Sequence, residues 1–208
     1  MATETERHLR ADAVRNADRI LRAARVVFAE SGPDASLEDI ARHAGVGGRT
    51  LYRHFPTKAA LARAAIDQSV AEDLTPAIDQ ALGDDDPWRG FVSLLEAAMT
   101  LAVRERNTLA AARTSGVVTA DASAVFFDSL TRLLHRAQQA GAVRAEVVPD
   151  DLPRLMAMLF STVWTMAPDS GGWRRYLVLV LDGLSATAAD PLPPAPAVRM
   201  QTRPHGLS

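Results

Sequence analysis

SLEDIARHAGVGGRTLYRHF, at residues 36–55, is the stretch that predicts two short helices joined by a tight turn. Ser36 is the expected N-cap of the first helix, and Gly45 is expected to end that helix. Glycine has no Cβ, so Gly45 allows the left-handed or closely packed backbone that such a turn needs. Leu51 and Phe55 then place an apolar stripe on one face of the second helix.

The other face of the second helix carries hydrogen-bonding side chains. It presents Arg49, Thr50, Tyr52, Arg53 and His54. Side chains of these types reach base edges and phosphates when a helix lies in the major groove of DNA. The spacing alone also fits an ordinary helical hairpin with a polar surface, so at this point both interpretations stand.

The segment from about residue 13 to about residue 66 resembles the DNA-binding domain of tetracycline-repressor (TetR) family regulators. The matching parts are FAESG at 28–32, SLEDIA at 36–41, AGV at 44–46, TLYRHF at 50–55 and KAAL at 58–61. The resemblance implies an all-α fold of about nine helices, with an N-terminal helix-turn-helix domain. It also implies a C-terminal helical domain that binds an effector and dimerises.

The resemblance implies DNA-binding roles for individual residues. Thr50 and Tyr52 match positions that contact phosphate or a thymine methyl group, and Arg53 and His54 match positions near the edge of a half-site. Lys58 matches a lysine that grips a phosphate, and it is the only lysine in the chain. The full expected set is Ser36, Arg49, Thr50, Tyr52, Arg53, His54 and Lys58.

Two glycines depart from the family pattern at the start of the second helix. The family commonly has serine and then a long polar residue where this chain has Gly47 and Gly48. Gly48 cannot read a base, and glycine caps a helix less well than serine and costs roughly 1 kcal/mol within one. We expect Arg49 to supply the base contact, by pairing with O6 and N7 of a guanine.

Helical periodicity extends outward from this segment in both directions. An amphipathic helix is predicted over about 11–30, a long one over about 57–82 with Pro76 as the place for a bend, and further helices to about residue 188. No period-two strand pattern occurs. The predicted division is a flexible N-terminus at 1–10, a DNA-binding domain at 11–56, a helical domain at 57–188 and a Pro-rich disordered tail at 189–208.

Two densely apolar helices, predicted at about 151–167 and 172–188, close the helical domain. They form either the core of a monomer or, as the resemblance favours, a four-helix bundle with a second copy. A twofold dimer would place two recognition helices about 34–36 Å apart on a palindromic operator. The expected interface residues are Leu155, Leu159, Val163, Trp173, Leu177 and Leu181.

Aromatic and methionine side chains in the helical domain suit a small-molecule cavity. Apolar walls around one or two polar groups are typical of ligand sites, although each such residue is more often part of a core. Arg113 is the best polar candidate because an arginine is costly to bury unpaired. The expected ligand contacts are Trp88, Phe91, Met99, Arg113, Phe127 and Trp164.

Composition limits the class of protein. The chain has 208 residues, 48% of them hydrophobic, and its net charge of −2 divides into +3 over residues 1–63 and −5 over the remainder. A mildly basic head on an acidic body suits contact with phosphates at one end, or reflects chance clustering. With no cysteine, no long apolar run and no apolar signal segment, we expect a cytoplasmic protein that binds neither metal nor cofactor.

Three functions are considered, and the sequence ranks an enzyme last. The chain has no Gly-x-Ser-x-Gly motif, metal-binding histidine pair or phosphate-binding loop, which argues against an enzyme. A ligand- or protein-binding helical dimer that has lost DNA binding is the second, because Gly47 and Gly48 weaken the recognition helix. The first is a transcriptional regulator, by family default a repressor, that binds double-stranded operator DNA as a homodimer and is released by a small-molecule effector.

Overall fold

The computed structural model describes residues 4–112, 120–167, 170–187 and 190–193. These residues form ten α-helices and no strand, apart from an isolated bridge between Val143 and Ser185. The prediction of an all-α fold is therefore confirmed. No helix in the described part of the chain combines the length and apolar character that a membrane crossing requires.

The helices follow one another with short connections. They are α1 (Glu4–Ser31), α2 (Leu37–Ala44), α3 (Gly48–His54), α4 (Lys58–Ser69), α5 (Thr75–Leu82), α6 (Pro87–Arg104), α7 (Arg106–Ala112), α8 (Ala120–Gln139), α9 (Leu152–Thr165) and α10 (Trp173–Leu184). A 3-10 turn, Pro149–Asp151, precedes α9.

The first helix is longer than the sequence analysis expects. Residues 4–10, expected to be a flexible N-terminus, are helical and continue into α1. The flexibility expected for residues 1–10 stays a prediction.

Helices α1–α4 enclose the first of two hydrophobic cores, which we call the head core. Its fully buried side chains include Ile20, Phe28, Ile40, Leu51 and Leu61. Because Leu61 belongs to α4, the head core extends beyond the boundary expected at residue 56. Ala111 of α7 is also buried in it, so a helix of the C-terminal part closes the head.

A π-helical turn joins α4 to α5 in one continuous path. The turn, Val70–Leu74, lies just before Pro76 and coincides with the predicted bend. Proline has no N–H, and its ring blocks the carbonyl four residues earlier, so the regular hydrogen-bond ladder cannot pass through it. The backbone N–H of Thr75 instead donates to the carbonyl of Val70, five residues back. The helix thus continues from the head into the body with a local irregularity.

The second core, the body core, lies among α5, α6, α8, α9 and α10. Its fully buried side chains include Phe91, Leu94, Met99, Leu130 and Leu133. Head and body meet at Glu105, which follows α6 and is only 4% exposed. Its carboxylate accepts hydrogen bonds from Ser69 of α4 at 2.9 Å and Thr108 of α7 at 3.1 Å.

Candidate nucleic-acid interface

Ser36 caps α2. Its hydroxyl oxygen accepts the backbone N–H of Asp39 at 3.0 Å, and its proton is donated to the Asp39 carboxylate at 2.7 Å. The Ser36 hydroxyl, with the ion pair to Arg42, holds the pKa of Asp39 below its ordinary value. The single proton of Ser36 is therefore already used, and a contact to phosphate requires the hydroxyl to rotate.

Gly45 ends α2 in the left-handed conformation, at φ 64° and ψ 36°. Arg19 of α1 donates to the carbonyls of Ala44 at 2.6 Å and Gly45 at 3.3 Å. A Cβ on Gly45 would lie 2.9 Å from Nη2 of Arg19. The turn is thus both left-handed and closely packed, as the sequence predicts. Arg19 escaped prediction because a bond to a distant backbone carbonyl leaves no local pattern.

Helix α3 divides into a buried and an exposed face. Leu51 is fully buried in the head core, whereas Arg49, Tyr52 and Arg53 are exposed. Within the described residues neither Arg49 nor Arg53 has an acidic partner. Two guanidinium groups are therefore free to contact phosphates or base edges.

Tyr52 is held by α2. Its hydroxyl donates to Oε1 of Glu38 at 3.1 Å, and this hydrogen bond raises the pKa of the Tyr52 phenol above its ordinary value. The phenol is fixed by its partner, and its oxygen keeps only its acceptor capacity for other contacts. Glu38 is thus a positioning residue that the sequence analysis did not single out.

Lys58 is the first residue of α4. Thr57 caps that helix by accepting the backbone N–H of Ala60 at 3.1 Å. Lys58 is half-buried and, in the part of the chain that the structure describes, has no acidic partner. A cation in the first turn is disfavoured by the helix dipole by roughly 0.3–1 kcal/mol. Contacts within the described residues therefore do not explain why a lysine occupies this position. A bound external anion would explain it.

His54 and Thr50 are less available than the arginines. Both are half-buried, and Nε2 of His54 is fully buried with no hydrogen-bond partner in the described residues. This nitrogen is enclosed by the protein in the present conformation. DNA contacts by Thr50 and by the rest of the His54 ring remain predictions.

Gly47 and Gly48 open α3 without a side-chain cap. Gly47 is extended, at φ −71° and ψ 148°, and the φ of Gly48 is not positive. A Cβ at either position would meet nothing within 4 Å. Neither backbone conformation nor packing within the described chain therefore requires glycine there.

The expected ligand contacts fall into two groups. Phe91 and Met99 are fully buried, and half-buried Trp88 stacks on Phe91 with ring centroids 5.9 Å apart. The enclosed void beside Phe91 measures about 10 Å³, which is room for one water. Phe91 and Met99 are therefore core residues in this conformation and do not line a ligand-sized cavity.

The second group lies nearer the surface. Phe127 and Trp164 are half-buried, and the guanidinium of Arg106 lies 6.0 Å from the Trp164 ring centroid. Arg106 also donates to the carbonyl of Met166 at 3.3 Å. Arg113, the polar ligand contact expected from the sequence, lies outside the described residues. Arg106 is thus an arginine that lies beside Trp164, and its position was not predicted from the sequence.

The expected dimer residues lie mostly inside one chain. Leu159, Val163, Trp173 and Leu177 are at most 5% exposed, and Leu155 and Leu181 are half-buried. Side chains already buried in the body core have little area left for a second copy. The interface assignment of all six residues stays a prediction, because helices that are apolar on two faces do not reveal which face points inward.

The opposite face of the same two helices is exposed and apolar. We call it the α9–α10 face, and its exposed apolar side chains are Met158, Tyr176 and Leu179. A groove of about 1080 Å³ runs along it and is also lined by Leu155, Leu159 and Thr162. The helices expected to dimerise therefore present an apolar surface, which includes the expected residues Leu155 and Leu159.

Comparisons with known proteins agree with this geometry. Residues 20–65 match the family model described as bacterial regulatory proteins, tetR family. Residues 86–186 match the model described as transcriptional regulator SbtR-like, C-terminal domain. The two matches cover the head and most of the body. The comparison with curated proteins gives no match.

Solved structures extend the similarity over most of the chain. A TetR transcriptional regulator from Streptomyces coelicolor is 35% identical, with a TM-score of 0.61, and the match covers 83% of this chain and 99% of that one. A TetR regulatory protein from Mycobacterium vanbaalenii is 31% identical, with a TM-score of 0.60 and coverage of 85% and 99%. The chain therefore belongs to the TetR family of bacterial transcriptional regulators.

Proposed function

We propose that this chain is a one-component regulator that binds a palindromic operator as a homodimer and represses transcription from it. The observation that carries the proposal is a set of three cations at α3 and the start of α4, Arg49, Arg53 and Lys58, which have no acidic partner among the residues that the structure describes. Phosphate neutralisation by such groups supplies most of the affinity for DNA. Because the proposed partner is operator DNA, we place the protein in the cytoplasm. The proposed function requires no catalytic step.

The α9–α10 face supports the proposed dimer. Exposed large apolar side chains are otherwise scattered over the described residues, but here Met158, Tyr176 and Leu179 line one groove along two helices. A contiguous apolar patch of this kind marks an interaction surface. Packed about a twofold axis, the face would set two α3 helices on successive turns of the major groove.

An effector is proposed to enter the body beside Trp164 and Arg106. The core around Phe91 is filled, so a ligand of ordinary size must displace side chains, and the half-buried ones move at the lowest cost. Movement there would reach the head through α7, because this helix begins at Arg106 and contributes Ala111 to the head core. A coupling of about 1–3 kcal/mol would weaken DNA binding roughly 5- to 150-fold.

The second candidate is a helical dimer that has lost DNA binding. Gly47 favours it, because α3 begins without a side-chain cap and the recognition helix is weaker for that reason. The two candidates make opposite predictions for the three cations of α3 and α4. In the second candidate, Arg49, Arg53 and Lys58 would be an ordinary solvated surface.

A mobility shift with the full chain separates the candidates. The probe is the DNA upstream of the chain's own gene, with a scrambled duplex of equal length as competitor. A retained complex that resists the competitor, and that is lost in Arg49→Ala, supports the regulator. If the upstream DNA is bound no better than the scrambled duplex, the second candidate stands.

Effector release is tested on the preformed complex. Small molecules are screened by thermal shift on the full chain, and each hit is titrated against the complex of protein with upstream DNA. Release at saturating ligand supports sensing. A ligand that stabilises the protein and leaves DNA affinity unchanged would refute sensing, while the DNA-binding assignment would stand.

A further inference from the structure

After α10 the chain is tied back to the body. The backbone N–H of Arg144 donates to the carbonyl of Leu184 at 3.0 Å, and the N–H of Ala186 donates to the carbonyl of Ala142 at 3.1 Å. These bonds flank the isolated bridge of Val143 with Ser185. The direction in which the chain leaves α10 is therefore fixed by the segment that connects α8 to α9.

Residues 190–193, which we call the C-terminal strap, are held by the side chain of Arg144. Its guanidinium donates to the carbonyl of Asp190 and, at 3.4 Å, to the carboxylate of Glu146. Hydrogen bonding to Glu146, from its own backbone first and then from Arg144, holds its pKa below the ordinary value. The strap is thus anchored at Asp190, although its sequence, DPLP, predicts no regular structure.

The anchored strap forms part of the wall of the α9–α10 groove. Leu192 and Pro193 line the groove together with Met158, Tyr176 and Leu179. Leu192 nevertheless remains 42% exposed. Contacts within one chain do not explain why the strap is anchored so that an exposed leucine lies beside an apolar groove. A partner that covers the groove would explain it, because the leucine would then be buried.

We propose that the C-terminal strap is part of the dimer interface, where it packs against the α9–α10 face of a second copy and locks the dimer. The inference rests on the dimer proposed above. Four of the nine exposed large apolar side chains in the described residues, Met158, Tyr176, Leu179 and Leu192, line the groove of the α9–α10 face. A twofold interface brings a surface against its own copy, so one continuous apolar surface serves both partners.

Dimer dissociation of the full chain tests the inference, measured by analytical ultracentrifugation over a dilution series. Leu192→Asp probes the strap, Leu179→Asp probes the α9–α10 face, and Val125→Asp is the control. Val125 on α8 is 56% exposed, as Leu179 is 55% exposed, and it does not line the groove. Unchanged helical circular dichroism establishes that each variant folds.

Both test variants are expected to raise the dimer dissociation constant roughly tenfold or more, and the control is expected to leave it unchanged. Arg144→Ala, which removes the hydrogen bond to the carbonyl of Asp190, is expected to act in the same direction. It should add little to Leu192→Asp, because the two changes disable the same contact.

The remaining outcomes overturn the inference in distinguishable ways. If Leu179→Asp weakens the dimer and Leu192→Asp does not, the strap lies outside an otherwise correct interface. If Leu192→Asp tightens the dimer, the strap obstructs the second copy. If Leu179→Asp has no effect, the proposed dimer face is wrong and the inference is lost with it.

Discussion

Nε of Arg25 in α1 lies 3.0 Å from Oε1 of Glu105, a carboxylate that also binds side chains of α4 and α7. The same guanidinium donates to Glu72 in the π-helical turn at 2.8 Å. Arg25 belongs to the head, and Glu105 belongs to the body. The pair therefore fixes the orientation of the DNA-binding head at the point where the path from α4 to α5 is irregular.

Replacement of Glu105 is expected to destabilise the protein. Glu105→Ala leaves the hydroxyls of Ser69 and Thr108 without their acceptor and removes a buried charge partner of Arg25. The expected loss in the free energy of unfolding is about 3 kcal/mol, measured by urea denaturation. Glu96→Ala, an exposed glutamate on α6, is the control and should change stability by less than about 0.5 kcal/mol. Equal effects of the two variants would contradict the role given to Glu105.

Two glycines near the turn are expected to respond to alanine with opposite sign. Gly45→Ala should lower the free energy of unfolding by about 1 kcal/mol or more, because φ is positive and the new Cβ would meet Arg19. Gly48→Ala should raise it by about 0.5 kcal/mol, because the site is open and φ is ordinary. Thermal and urea denaturation of both variants gives the comparison. A change of the same sign in both would refute this account of the turn.

Lys58 is expected to contact a phosphate. Lys58→Gln should weaken binding to all DNA sequences about equally and lower the slope of log affinity against log salt by roughly one unit. Fluorescence anisotropy at several salt concentrations measures both effects. Arg132→Gln, an exposed arginine on α8, is the matched control and should leave the slope unchanged. A changed sequence preference with an unchanged slope would mean that Lys58 does not act through a phosphate.

Arg49 is expected to read a base. Arg49→Ala should cost about 1–3 kcal/mol on the native operator and relax the preference at one position in each half-site. Binding to a set of operators with single substitutions locates that position. Equal losses on operator and random DNA would reassign Arg49 to the phosphate backbone.

The turn and the exposed face of α3 could be predicted because local pattern decides them. Gly45 follows a short amphipathic helix, and the position of Leu51 fixes which side of α3 is buried. The face of α9 could not be predicted in the same way. Met158 and Leu159 are adjacent in the sequence and both are apolar. Only the packing of the whole body places Leu159 in the core and Met158 at the surface.

Long-range polar contacts were also beyond prediction. Arg19, Glu105 and Arg144 bind partners far away in the sequence, and an arginine or glutamate in a helical pattern ordinarily indicates a solvated surface. The strap illustrates the point, because its prolines predict disorder while the distant Arg144 donates to the carbonyl of Asp190. Such contacts depend on the completed fold and leave no periodic signal.

The central claim is that two copies of α3 engage one palindromic operator together. The most direct test is the ratio of dissociation constants for two duplexes, the intact operator and the same operator with one half-site scrambled, at physiological salt. The account predicts that the scrambled duplex binds at least roughly tenfold more weakly, because each lost base contact costs about 1–3 kcal/mol and both heads are joined. Equal dissociation constants would contradict it.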